Sequence, residues 1–200
     1  MKKTMIIISA ITVILLCILW SIFSKEELPK IDYVDGSQHI YKGQKLDSSR
    51  DFKIQSLSPR ASYLNSSQYI DASIKEPLEQ MILDAEKEGM CLVVISGYRT
   101  PEQQQLLYNS EQDKTKVALP NESEHQTGLA VDFTACPMKE GVRNDDIQRL
   151  ELEKPFKELP EYCWLVRNAW KYSFEQSFTE YNKDITGYSA EPWHWKYIVK

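Results

Sequence analysis

The sequence predicts an α+β domain, on three observations. Stretches of helical period alternate irregularly with short apolar runs. Those runs are rich in β-branched residues and bounded by Gly, Pro and polar residues. No regular strand–helix–strand beat of the kind that builds a parallel sheet runs through the chain. The 200 residues suit one domain with one core, read here as residues 68–200.

What precedes that domain is of another kind. "MKK" leads into Thr4–Phe23, which carries no charge. At ~1.5 Å per residue such a run spans roughly the 30 Å of a bilayer core. Lys2 and Lys3 favour a cytoplasmic N-terminus with the rest of the chain outside. Residues 1–24 are therefore expected to be a membrane anchor, with a cleaved signal peptide as the rival reading. The run is longer than a usual signal core and no A-x-A-like site follows it. Residues 25–67 are polar and read as a stalk merging into an irregular edge of the domain.

Within the domain, "EPLEQMILDAEKEGM" is a helix. Pro77 suits its first turn, Leu78, Met81, Ile82 and Ala85 make one apolar face, and Gly89 closes it. "CLVVISGYRT" then reads as a buried strand. "TPEQQQLLYNS" is a second helix, with Thr100 as N-cap, Pro101 in the first turn and Gln103 completing a capping box. "GLAVDFTAC" is a strand with Ala130 and Asp132 on one face. "EYCWLVRNAWKYSF" places Cys163, Trp164, Val166, Trp170 and Phe174 at helix-like spacing and predicts a third helix. "YSAEPWHWKYIVK" reads as a turn into a last strand.

Charge narrows the partners. Lys2 and Lys3 are the only charged residues of the first 24, so the remainder carries 22 basic and 29 acidic residues, formally −7. No basic stripe occurs, and nucleic acid is not an expected partner. Outside the anchor stand Cys91, Cys136 and Cys163, an odd number without a C-x-x-C pair, so neither a structural zinc site nor a disulfide scaffold is indicated. In an oxidising compartment two outcomes stay open. Either Cys136 and Cys163 are bridged, with Cys91 an inert packed residue, or all three are buried thiols.

The chemistry rests on few residues. Of three histidines, His125 stands in "SEHQTGLAVDF", seven positions before Asp132, and His194 stands in "EPWHW", three after Glu191. Two imidazoles and a carboxylate can hold a zinc ion and leave a fourth position open, the mark of a catalytic site. The second carboxylate, Glu191, is then the natural general base. Gly128 allows the tight turn that returns Asp132 to His125. No S-x-x-K occurs, which excludes the serine mechanism of penicillin-binding proteins.

"SGYRT" (Ser96–Thr100), "SEHQTGLAVD" (Ser123–Asp132) and "ITGYSAEPWHWKYI" (Ile185–Ile198), in that order, resemble the motifs of the VanY-type D-alanyl-D-alanine carboxypeptidases. These belong to the group of zinc peptidoglycan peptidases that includes VanX and the zinc domain of hedgehog proteins. Each fixed position of S-x-H-x-x-G-x-A-x-D is matched. The resemblance implies a small antiparallel sheet with flanking helices around one zinc site. It implies one Zn2+ held by His125, Asp132 and His194, with Glu191 as base. Arg99 would polarise the scissile carbonyl or steady the substrate, a role that suits a guanidinium aimed from the end of a strand at developing charge. Ser123 would contact the terminal carboxylate and Gln104 would line the pocket, although a solvated helix face explains Gln104 equally well. Trp193 either walls the pocket or packs in the core. Where the family carries Gly-Phe after the last helix, this chain has Ser173-Phe174, and the arginine of a following Arg-Tyr-Pro turn is missing.

The activity this implies is removal of the terminal D-Ala from peptidoglycan stem pentapeptides or lipid-linked precursors, outside the cell membrane. L,D-carboxypeptidase or endopeptidase activity uses the same machinery. A non-catalytic zinc-stabilised wall-binding module is the remaining alternative.

Overall fold

A computed structural model of the chain describes residues 40–46, 53–63, 66–136, 138–139, 142–143 and 155–198. All of them fall within one compact unit, Tyr33–Lys200. The expected anchor, residues 1–24, lies outside the described residues, among which no helix is long and apolar enough to cross a membrane.

In chain order the elements are β1 (Ile54–Ser56), β2 (Tyr69–Asp71), α1 (Lys75–Lys87), β3 (Leu92–Ser96), α2 (Pro101–Ser110), β4 (Ala130–Ala135), β5 (Met138–Lys139), β6 (Val142–Arg143), α3 (Pro160–Asn168), β7 (Phe174–Gln176), α4 (Lys183–Thr186) and β8 (His194–Tyr197). The central sheet is antiparallel in the order β3-β4-β8-β7, and β1-β2 and β5-β6 form two-stranded sheets. Helices stand apart from an antiparallel sheet, as the α+β reading expects. Ile54–Ser56, part of the segment read as irregular edge, is a strand paired with β2.

The sheet has two faces with different tasks. Leu92, Val94, Val131, Phe133, Trp195 and Phe174 form one hydrophobic cluster with Leu78, Met81, Ile82 and Ala85 of α1 and Trp164 and Leu165 of α3. The four buried α1 residues are those that the i, i+3, i+4, i+7 spacing selects, each contributing about 1.5–3 kcal/mol for a large side chain. The other face carries the polar residues of the same strands. Partner positions of an antiparallel pair project to the same side, and the register aligns Ser96, Asp132 and His194 across three strands. Period-two alternation thus separates core from chemistry.

Two expectations are corrected here. The third helix does not run to Phe174. It ends at Asn168, a 3-10 turn covers Ala169–Tyr172, and Ser173 adopts a left-handed conformation at φ 64. The Ser173 N–H donates to the Ala169 and Trp170 carbonyls in the manner of a helix C-cap. That reversal sends Phe174 into β7, next to β8. Of the residues read at helix-like spacing, Trp164 is buried, whereas Val166 and Trp170 are exposed.

The cysteines also pair differently. Cys91 and Cys136 form a disulfide with Cα atoms 5.3 Å apart, and Cys163 is an exposed thiol on α3. Register explains the choice. Leu92 faces Ala135, so the residues just outside them, Cys91 and Cys136, stand opposite each other, and the Cys136 N–H donates to the Cys91 carbonyl.

Candidate metal centre and active-site cleft

The turn before β4 builds half of the site. Glu124–Thr127 is a 3-10 turn, closed by Gly128 at φ 71. A Cβ on Gly128 would lie 2.7 Å from the Asp71 nitrogen, so both the backbone angle and the close approach of β2 require glycine. The chain then enters β4, and two residues beyond Ala130 it presents Asp132 toward His125. Gly97 makes a second close approach: a Cβ there would meet the Tyr69 carbonyl oxygen at 2.2 Å. Its own carbonyl lies 2.7 Å from His125 Nδ1. A carbonyl only accepts, so Nδ1 carries the proton and Nε2 presents its lone pair 3.3 Å from Asp132 Oδ2.

β8 supplies the other half. His194 Nε2 lies 2.9 Å from Glu124 Oε2 and donates to it, and Nδ1 lies 3.0 Å from Asp132 Oδ1. The imidazoles of His125 and His194 meet edge to face with centroids 4.8 Å apart. One donor atom from each of His125, Asp132 and His194 falls within 4.8 Å of the others. Tetrahedral zinc at about 2.0–2.1 Å from its donors separates them by ~3.3–3.5 Å, close to the 3.0 and 3.3 Å found here. Both imidazoles have the nitrogen remote from the cluster tied to a fixed acceptor, the usual outer support of a metal ligand. The donor set fits the ion.

Electrostatics point the same way. Burial opposes ionisation of Asp132, but His125 and His194 outweigh it and hold the carboxyl well below its ordinary range. Burial likewise disfavours a charge on His194, yet Asp132 and Glu124 push it up to about 10. His125, desolvated and beside Arg99, is shifted down despite Asp132. The cluster is arranged to hold positive charge near His194 Nδ1. Glu191 Oε2 lies 3.8 Å from that nitrogen. Burial raises Glu191 to about 7, helped by Asp132 and Glu124 and opposed by His194 and Arg99. A carboxyl there can both take and return a proton near neutral pH.

These groups line a cleft of about 360 Å³. Arg99 reaches it from the end of β3, with Nη1 donating to Gln104 Oε1 at 2.7 Å and Nη2 to Ser96 Oγ at 2.9 Å. Nη2 stands 4.0 Å from Asp132 Oδ2. Gln104, on α2, lines the cleft but is buried, and its Nε2 donates to the Ala118 carbonyl at 2.7 Å. The solvated-face reading of Gln104 is therefore corrected: its amide is committed to fixing Arg99 in place. Ser123 is buried on the cleft wall, and Trp193, 41% exposed, lines the cleft and does not belong to the core.

Three further residues escaped the sequence reading. Glu124, buried beside His125, accepts from His194, from Ser177 Oγ at 2.5 Å and from the Ile40 N–H at 2.9 Å. Lys196, 0% exposed, stands two residues after His194 on the same strand face and places Nζ 3.4 Å from Glu124 Oε1. Period two from His194 was the available signal for Lys196; nothing local marks Glu124 as buried. Tyr188 packs on Phe178, which packs on His194, with centroids 5.0 Å apart in each pair. Its buried hydroxyl has no hydrogen-bond partner among the described residues. Burial and the surrounding Glu122, Glu124 and Glu191 raise its pKa, so it stays a phenol.

Three donor groups lining one cleft, with an acid beside them, define a candidate metal centre in an α+β domain. The comparisons give that class a family. The profile of VanY, D-alanyl-D-alanine carboxypeptidase, matches residues 67–200, and the chain belongs to this family. It is 35% identical over 139 residues to the putative carboxypeptidase YodJ of Bacillus subtilis, covering 66% of this chain and 47% of that protein, so it spans about half that relative's length. Among solved structures it is similar to a variant of the vancomycin-resistance D,D-pentapeptidase VanY from a VanB-type cassette, in complex with Zn(II). The TM-score there is 0.62 at 27% identity, with 82% of this chain and 88% of that one covered. It is also similar to the LdcB LD-carboxypeptidase, with TM-score 0.67 at 28% identity over 86% and 82% of the two chains.

Proposed function

We propose that this chain is a zinc-dependent D,D-carboxypeptidase that removes the terminal D-Ala from peptidoglycan stem pentapeptides or their lipid-linked precursors. The observation that carries this reading is the convergence of His125 Nε2, Asp132 and His194 Nδ1 on one point at the floor of a cleft, beside Glu191. Membership of the VanY family and the Zn(II) complex of a similar enzyme support both the ion and the reaction. When bound, zinc supplies a Lewis acid that acidifies a water molecule and polarises an amide carbonyl.

The protein's own groups would do the rest. Glu191 takes the proton of the attacking water and returns it to the leaving amine, a task its raised pKa suits. Arg99, held by Gln104 and Ser96, aims its guanidinium at the oxygen that gains charge. Ser123 on the cleft wall meets the terminal carboxylate. Trp193 walls the cleft, and the Tyr188 hydroxyl awaits an acceptor or donor on the peptide. Placement outside the membrane, with residues 1–24 as anchor, is part of the same proposal and is supported by the uncharged run Thr4–Phe23 behind Lys2 and Lys3.

The likeness to LdcB favours one second reading, L,D-carboxypeptidase activity. Mass analysis of stem pentapeptide and tetrapeptide after incubation with the protein separates the two. Loss of one alanine from the pentapeptide alone supports the D,D reading, and cleavage of the tetrapeptide alone supports the L,D one. No cleavage of either by zinc-loaded protein refutes both. His125→Ala, Asp132→Ala and His194→Ala should each remove most bound zinc; full metal content in any of them overturns the ligand set.

A further inference from the structure

Residues 40–46 lie outside the part of the chain matched to the family, yet they are laid against the walls of the site. The Ile40 N–H donates to Glu124 Oε1 at 2.9 Å and the Gly43 N–H to Glu122 Oε2 at 3.3 Å. The Lys42 N–H donates to the Thr186 carbonyl at 2.9 Å and the Leu46 N–H to the Asn121 carbonyl at 2.7 Å. Ile40 is itself buried. Gly187, which follows α4, passes so close that a Cβ on it would lie 2.9 Å from Lys42 Cβ. These contacts make a strap fixed at both ends.

Glu124 is the residue that gives the strap a consequence. Its Oε1 takes the Ile40 N–H, with Lys196 Nζ 3.4 Å away, while its Oε2 takes His194 Nε2 and Ser177 Oγ. A glutamate side chain has three torsions, and one oxygen can face His194 only while the carboxylate plane is held. The Ile40 N–H comes from backbone and Lys196 from a fully buried side chain. Both pin the oxygen that His194 does not use. His194 in turn must keep its proton on Nε2 for Nδ1 to act as a ligand. Partners of this kind, one bond behind a metal ligand, govern metal affinity by 10–100-fold.

We infer that the segment Ile40–Leu46 is a positioning element of the metal site, with the Ile40 N–H holding the Glu124 carboxylate that orients His194. The inference rests on the reading of His125, Asp132 and His194 as zinc ligands. Ile40→Pro removes the N–H together with the buried isoleucine side chain, Ile40→Ala trims that side chain but keeps the N–H, and Ile40→Val keeps both the N–H and a branched apolar side chain. In the full chain, competition with a chromogenic chelator gives the zinc dissociation constant, and the visible spectrum of the Co(II)-loaded protein reports the ligand geometry.

Ile40→Pro should weaken zinc binding about 10-fold and alter the cobalt spectrum, with kcat lowered more than KM is changed, while Ile40→Ala and Ile40→Val keep wild-type affinity and spectrum. An Ile40→Ala protein that matches Ile40→Pro in both would overturn the role of the N–H. A variant that merely loosens the fold would lower the thermal midpoint without moving the spectrum. Unchanged affinity and spectrum in a folded Ile40→Pro protein overturn the inference. If that variant does not fold, hydrogen exchange of wild type decides: the Ile40 amide should become more protected on zinc loading, and equal protection with and without zinc overturns the inference. Failure of wild type itself to bind zinc would instead refute the metal reading on which this one stands.

Discussion

The Cys91–Cys136 disulfide joins the first residue before β3 to the first after β4, across a sequence separation of 45. That loop contains α2, the Glu124–Thr127 turn, and the proposed ligands His125 and Asp132. In the chain-entropy model a closed loop of this length lowers the freedom of the unfolded state by about 4 kcal/mol at 25 °C. Both sulfurs sit in a small buried cluster with Val93, so the native strands need no rearrangement to carry the bond. The double variant Cys91→Ala/Cys136→Ala should therefore lose about 4 kcal/mol of unfolding free energy. Urea unfolding of the metal-free protein under non-reducing conditions, followed by tryptophan fluorescence, measures it. Removal of zinc beforehand matters, because a bound ion stabilises the folded state by mass action and would mask the difference. In the folded wild type a thiol reagent should modify exposed Cys163 and spare Cys91 and Cys136. A loss under about 1 kcal/mol refutes the loop-closure argument, and a peptide map joining Cys136 to Cys163 refutes the pairing.

Three more outcomes test the cleft. Glu191→Gln should retain zinc and fold but lose roughly 10²–10⁴ in kcat, the scale of a lost general base; loss of the metal would make Glu191 a ligand. Gln104→Leu removes the acceptor of Arg99 Nη1, a charge-assisted hydrogen bond of about 1.5–3 kcal/mol, and should lower kcat/KM about 10–100-fold with zinc content unchanged; wild-type kinetics would show that Arg99 needs no such support. Tyr188→Phe deletes a buried hydroxyl without a partner among the described residues, so thermal stability should hold or rise while KM for the stem peptide increases; a drop in stability with unchanged KM would show that the hydroxyl is satisfied within the protein.

The pieces of the site that were legible in the sequence are those fixed by local rules. Gly128 announces a turn, and period two along β4 puts Asp132 on the face of Ala130. The capping box of α2 is present as Thr100 and Gln103 require. The four apolar positions of α1 are the four that are buried. Where local rules compete, legibility fails. Ser173 has a Cβ, which disfavours the left-handed conformation of a helix cap, yet it sits at φ 64. The gain lies elsewhere: the reversal buries Phe174 against Tyr197 and adds β7 to the edge of the sheet. Spacing along α3 could not reveal this, because the deciding contacts belong to β8.

The same distinction separates the ligands from their supports. The proposed ligands His125, Asp132 and His194 show in sequence because a metal demands particular atoms, and few residue types supply them. Glu124, Lys196 and Gln104 act through burial, and burial is a property of what packs on them. Glu124 looks like any turn glutamate until the strap and β8 close over it; Lys196 looks like a surface lysine until its strand is one of the two inner strands of a four-stranded sheet. The two side chains lie 3.4 Å apart, and removing either would leave the other buried with one partner fewer. The pair therefore ties the register of β8 to the turn before β4. A slip of β8 by one residue would turn both His194 and Lys196 to the opposite face, leaving Glu124 buried without either. Correct pairing of the central sheet and the convergence of His125, Asp132 and His194 are thus linked, through two buried residues outside that trio.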